Sequence, residues 1–215
     1  MVSQAHGTTR ENPSRLPPWQ AAGGAAGAAA ALVAERGPEG FSLLDAARAC
    51  GVSASAPYKH FADKAALLEA LARRGAALLN ARLAAAWGGG EPGPAEAFLR
   101  IGHAYMAFAR EEPGLYLSLY RPRSAPPEPA QPEDSPLGDA LAALGIGGGA
   151  AAEIGVQIWA LSHGLASLER AGQLPLPAER LIDSGVGRLL RGFAAEAGPA
   201  PATAAQRSNA TAAPP

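Results

Sequence analysis

Between Ser42 and Gly51 the chain has room for about two turns of helix and no more. Ser42-Leu43-Leu44-Asp45 has the pattern of a capping box. In that motif the Ser42 hydroxyl accepts from the Asp45 amide, and the Asp45 carboxylate reaches back to the Ser42 amide. Gly51 suits the left-handed residue that ends a helix. Val52 is apolar and placed to plug the turn, and Ser53 is a natural N-cap for a following helix. Two short helices joined by a tight glycine turn make a helix-turn-helix, whose second helix enters a DNA major groove N-terminus first.

That second helix, expected over 53–60, contains Pro57. With Ser53 as N-cap, Ala54, Ser55 and Ala56 fill the first helical positions, whose amides have no intrahelical partner in any case. Pro57 stands fourth. Its missing N–H forfeits only the first bond of the ladder, to the Ser53 carbonyl, while its ring disfavours α geometry at Ala56. The expectation is a helix distorted at its start but not abolished, with a kink that sets the angle of Ser55 and Tyr58.

Elsewhere Ala, Leu, Glu and Arg dominate the periodic segments, and alternating β-branched runs are absent. The expected fold is all-α, with helices near 21–36, 42–50, 53–60, 63–87, 94–111, 113–120, 137–144, 150–172 and 178–197. Stops fall at Gly37-Pro38, Gly51, Gly88-Gly89-Gly90 and Pro113-Gly114. This divides the chain into a disordered arm (1–18), a helix-turn-helix unit (19–66), a larger helical unit (67–197) and a disordered tail (198–215). A proline-rich loop at 121–136 should be exposed. The break near residue 66 lies inside a long helix rather than in a flexible linker.

Composition narrows the partners. Of the 215 residues 48% are hydrophobic, which suits a sizeable core, while the net charge is −1, so any DNA binding must come from a local surface. A single cysteine, Cys50, rules out an internal disulfide and suits a reducing compartment. The N-terminus has no apolar h-region. The run AAGGAAGAAAALVA falls below the roughly 18 strongly apolar residues of a spanning helix. A cytoplasmic location is expected.

The segment AERGPEGFSLLDAARACGVSASAPYKHFADKAALLEAL, residues 34–71, resembles the TetR family of bacterial regulators. It has an apolar first helix ending in a glycine turn, a Ser-capped second helix, the G-V-S turn, Tyr-x-His-Phe, and a lysine at the start of the next helix. The resemblance implies that Tyr58 and His60 contact phosphates, and that Lys64 meets a phosphate where its charge adds to a helix N-terminal field. It implies that Ser53, Ser55, Ala56 and Lys59 face the groove, with Ser42 also in the DNA-binding set and Phe61 in the core. Plainer roles are open to three of them: Tyr58 as a buried ring, His60 as a capping or core histidine, Lys59 as a solvated charge. Two departures bear on affinity. The lead-in to the first helix has one arginine, Arg15, and glycines at 23, 24 and 27. Residues 31–80 hold six basic side chains (Arg36, Arg48, Lys59, Lys64, Arg73, Arg74) against five acidic ones (Glu35, Glu39, Asp45, Asp63, Glu69). Modest, salt-dependent DNA affinity resting on few phosphates follows.

In the second half, Phe98, Ile101, Tyr105 and Phe108 share one helical face, and Ile154, Ile158, Leu161, Leu165 and Leu168 form another stripe. A third runs through Leu181 or Ile182, Gly185 or Val186, Leu189, Leu190 and Phe193. Such stripes bury inside one chain or pair across a two-fold axis as a four-helix bundle. The family resemblance implies the second, a homodimer. Trp159-x-x-x-His163-Gly164 is similar to the W-x-x-x-H-G motif of one type of TetR-family C-terminal domain, and residues 104–120 to the segment that precedes it. An effector pocket would draw on Tyr105, Met106, Tyr116, Tyr120, Trp159 and His163. The alternative is a packed Trp-His pair with Gly164 allowing close helix approach.

Other signals carry little. Gly145-Ile-Gly147-Gly-Gly-Ala150 matches G-x-G-x-x-A but follows a helix, not a strand. The Asn209-Ala-Thr sequon lies in the tail. No His, Cys, Asp or Glu cluster has metal spacing, and no nucleophile elbow or catalytic constellation occurs. No enzyme activity, metal or cofactor is expected. The expected function is a homodimeric DNA-binding transcriptional regulator, a repressor released from a palindromic operator by a small-molecule effector. Its half-sites would be about 34–36 Å apart. The alternative is a helical ligand-binding or protein-interaction module with weakened DNA binding.

Overall fold

In the computed structural model, residues 25–122 and 135–196 are described, and the regular structure among them is entirely helical. The helices are α1 (Ala25–Arg36), α2 (Leu43–Ala49), α3 (Lys64–Trp87), α4 (Pro94–Glu111), α5 (Pro113–Leu119), α6 (Pro136–Ala143), α7 (Gly148–Arg170) and α8 (Ala178–Glu196). The expected arm at 1–18, the tail at 198–215, residues 21–24 of the first helix and most of the 121–136 loop lie outside the described residues.

The chain falls into two compact units. The first comprises residues 25–75 and 113–122; the second comprises 76–112 and 135–196. In the first, α1 packs chiefly on α5 and also on α2. Gly114 of α5 sits so close to the Ala30 backbone of α1 that a Cβ there would overlap the carbonyl. Ser118, fully buried, is satisfied by donating to the Gly114 carbonyl at 2.7 Å. The core closes with Leu32, Val33, Phe41, Leu43, Leu67, Leu71 and Leu115.

The capping box at the start of α2 forms. Asp45 N–H donates to Ser42 Oγ at 3.2 Å, and Ser42 N–H donates to Asp45 Oδ2 at 2.8 Å. The Ser42 hydroxyl also donates to Asp45 Oδ2, at 2.6 Å, and this bond, with that from the Ser42 amide, holds the Asp45 carboxyl below the usual carboxylate range. At the other end Gly51 takes φ +66°, Gly51 N–H donates to the Arg48 carbonyl at 3.0 Å, and Val52 N–H to the Ala47 carbonyl at 3.1 Å. This is a Schellman ending. Val52 does not plug the turn, however: it is 44% exposed.

In the second unit α4 packs on α6, α7 and α8. The expected α4 stripe is the buried one, with Phe98, Ile101, Tyr105 and Phe108 all at most 5% exposed. Small residues let helices close: Gly102 faces the Ile182 methyl and Gly185 the Leu161 side chain, each with room for no Cβ. Arg100 caps the end of α3 by donating to the carbonyls of Ala86 and Trp87. On α7, Ile154, Ile158 and Leu165 are buried, whereas Leu168 of the same expected stripe is exposed. Cys50 is half-buried, and the partial burial raises its thiol pKa.

Candidate nucleic-acid interface

No α-helix forms over 53–60. The only regular element there is a 3₁₀ turn, Pro57–Lys59, reached through successive tight turns. Ala56 N–H donates to the Ser53 carbonyl at 2.9 Å, Lys59 N–H to Ala56 at 3.3 Å, and His60 N–H to Pro57 at 3.0 Å. Proline is the physical reason. Position 57 has no N–H with which to reach the Ser53 carbonyl four residues back, so that acceptor is taken by Ala56, three residues on.

The proline also anchors. Its ring is buried, and four residues later Phe61 is buried too, with Phe61 N–H donating to the Pro57 carbonyl at 2.9 Å. Between these two anchors Tyr58, Lys59 and His60 turn outward. Tyr58 is 59% exposed, which excludes the buried-ring alternative, and Lys59 and His60 are exposed as well. Ser53 and Ser55 are exposed and share a hydrogen bond between their hydroxyls at 3.3 Å, and Ala56 is half-buried. Ser42 is exposed at the start of α2.

Lys64 opens α3, where Asp63 caps the helix by accepting from the Ala66 N–H at 2.8 Å. Its ammonium donates to the Glu39 carbonyl at 3.0 Å and to Glu39 Oε2 at 3.1 Å, and lies 5.4 Å from the Phe41 ring centroid. Glu39 is therefore part of this corner, although its sequence position marks it only as a surface charge in a loop.

The six effector-pocket candidates fall into two groups, one in each unit. In the second unit, Tyr105 is buried and its hydroxyl shares a hydrogen bond with His163 Nδ1 at 3.2 Å. Trp159 stacks on the His163 ring, centroids 5.7 Å apart at 28°. Partial burial lowers the His163 pKa, so the ring is neutral near pH 7. Met106 is fully buried on α4. In the first unit, Tyr116 is buried and meets Tyr120 edge to face at 5.1 Å. Among the described residues no group of three or more His, Cys, Asp or Glu could hold a metal ion. No described helix is long and apolar enough to cross a membrane.

The outer face of α7 is apolar. Val156 is 60% exposed and Trp159 45%. Gly164, on the flank of α7 rather than on the Trp159 face, has no described atom within 4 Å of where a Cβ would stand. Among the described residues, no other helix makes a close approach at this glycine.

Residues 27–71 match the family model for bacterial regulatory proteins of the tetR family, and residues 98–193 match the model for the tetracyclin repressor-like C-terminal domain. Among solved structures, a protein of unknown function from Rhodococcus sp. RHA1 is 30% identical with a TM-score of 0.66, covering 85% of this chain and 98% of that one. A TetR family transcriptional regulator, PfmR, from Thermus thermophilus is 24% identical with a TM-score of 0.58, covering 78% and 97%. A TetR-like transcriptional regulator from Rhodococcus sp. RHA1 is 17% identical with a TM-score of 0.57, covering 81% and 94%. No curated protein matches the chain.

Proposed function

The chain belongs to the TetR family of bacterial regulators, and on that premise we propose that it is a cytoplasmic homodimeric repressor, released from a palindromic operator by a small-molecule effector. The observation that carries the DNA-binding role is the doubly anchored 3₁₀ turn. Pro57 and Phe61 fix it to the core, and Tyr58, Lys59 and His60 stand out from it. Tyr58, His60 and Lys64 contact phosphates, while Ser53, Ser55, Ala56 and Lys59 meet base edges, and Ser42 supports the entry of α2. Two copies are needed to read two half-sites, and the exposed Val156–Trp159 face with its open Gly164 supports a second copy docking along α7. The Tyr105–His163–Trp159 cluster is the polar end of the effector site in the second unit, since a neutral imidazole hydrogen-bonded to a buried phenol can exchange partners with a ligand at little cost. An effector acts only by binding the DNA-incompetent state more tightly.

The second reading, a helical binding module with weakened DNA contact, is favoured by the pairing of Lys64 with Glu39. One titration separates them: fluorescence anisotropy of the dimer against DNA from upstream of its own gene and against random duplex, at low and moderate salt. The repressor reading expects promoter preference that Tyr58→Ala/Lys59→Ala abolishes. Absence of any preference from a folded dimer rejects it.

A further inference from the structure

In the first unit, four of the five acidic side chains are each taken by a basic one. Glu35 pairs with Arg36 at 3.7 Å, Asp45 with Arg48 at 3.8 Å, Glu39 with Lys64 at 3.1 Å and Glu69 with Arg121 at 3.1 Å. The fifth, Asp63, caps α3. Among the described residues this leaves Lys59, Arg73 and Arg74 with no carboxylate within 4 Å. A balance that looks nearly neutral in the sequence is therefore locally positive, because the negative charges are already compensated elsewhere in the unit.

The uncompensated charges are not scattered. Arg73 and Arg74, both exposed on the third turn of α3, line with His60 a single open cleft of about 490 Å³. Its floor is Phe61, Leu67 and Leu71, which are 7%, 2% and 1% exposed. His60 follows Lys59 on the outward 3₁₀ turn. Positive charge thus runs from the reading turn across the cleft to α3. A small amphipathic ligand would find little here, because the apolar floor is almost closed and offers scant area to bury. An extended polyanion fits better: it needs only the rim, and paired guanidinium groups suit phosphate oxygens.

We infer that Arg73 and Arg74 contact the DNA backbone beside His60, supplying phosphate contacts that the family motif in 34–71 does not contain. The inference rests on the DNA-binding reading above and extends its interface along α3. It explains how a unit with so few charged residues on its reading turn holds a duplex.

The test is anisotropy of the full chain on its upstream promoter duplex and on a random duplex of equal length, between 50 and 200 mM salt. Arg73→Gln/Arg74→Gln is expected to weaken binding to both duplexes alike, by at least about tenfold, and to flatten the slope of log K against log salt by roughly two for each protomer on the duplex, roughly four for a bound dimer. Each single Gln variant flattens it by half as much, roughly one for each protomer. Arg73→Lys/Arg74→Lys retains most of the slope, since phosphate accepts a point charge. Arg170→Gln/Arg180→Gln, removing two exposed arginines of the other unit, leaves it unchanged. Melting curves by circular dichroism confirm that each variant is folded. Wild-type affinity and slope in the folded Arg73→Gln/Arg74→Gln variant overturn the inference while leaving the DNA-binding reading intact. A loss confined to the promoter duplex with the slope unchanged overturns it too. Failure of the wild-type protein to bind any duplex removes both.

Discussion

Lys64 is engaged before any DNA arrives. Its ammonium holds the Glu39 carboxylate and carbonyl, and packs beside Phe41. An exposed pair of this kind is worth about 0–1 kcal/mol, so exchange of carboxylate for phosphate is cheap, but Glu39 also repels the incoming backbone. Glu39→Gln is therefore expected to tighten DNA binding by about threefold at low salt, with the gain shrinking as salt rises. An unchanged Kd across the salt range would mean that Lys64 stays on the Glu39 carbonyl and takes no part in binding. The motif in 34–71 places Lys64 at the start of a helix expected from residue 63, and that helix begins at Lys64 itself. It had no means of finding Glu39, because a partner 25 residues upstream across a loop leaves no periodic mark. The same holds for Arg73 and Arg74. Helical spacing puts them on one turn of α3 with side chains about 100° apart, and does not say that both border a cleft with His60.

Short elements were legible where local chemistry decides them. The Ser42–Asp45 box and the Gly51 ending depend on side chains within three residues of the helix ends, and both form as the pattern dictates. The 53–60 segment departs from the expected helix because the missing Pro57 donor costs more than one bond. In the fold the vacated Ser53 acceptor goes to Ala56, and the whole turn tightens. Pro57→Ala restores the donor and is expected to give helical Cα chemical shifts from 54 to 60. It also lowers stability by about 1–2 kcal/mol through loss of the buried ring. A variant that keeps the 3₁₀ pattern would mean that the Pro57 and Phe61 anchors, rather than the absent N–H, set the geometry. A second element-scale test concerns α1 against α5. Gly114→Ala would gain up to about 1 kcal/mol of helix propensity but drives a methyl into the Ala30 backbone, so a net loss of about 1–3 kcal/mol is expected in the melting curve. A wild-type melting temperature would show that α1 and α5 can part without penalty.

A repressor of a palindromic site has to be two-fold, because each half-site takes one reading turn. Apolar spacing alone cannot decide this: a stripe that buries within its own chain and a stripe that pairs with another copy have the same period. Exposure separates them. On α7, Ile154 and Ile158 are closed inside the second unit, while Val156 and Trp159 face outward, and Gly164, on the flank of the helix, has open space before it. An open glycine in mid-helix is costly unless something uses the space, since Gly is less favourable than most residues there by up to about 1 kcal/mol. In the proposed dimer, a partner helix crossing at Gly164 would supply that use. Gly164→Glu therefore separates folding from association. Within one chain the new Cβ meets no described atom and helix propensity improves, so the fold of each copy should survive. Across a two-fold contact it places two carboxylates in an apolar seam, with neither room nor counter-charge. Sedimentation velocity is expected to show a dimer for the wild-type chain and a monomer for the variant, with helical content retained. Operator affinity should fall by at least about tenfold, since the second half-site no longer adds to the first. A Gly164→Glu chain that remains dimeric and binds its operator normally would move the two-fold axis away from this face of α7.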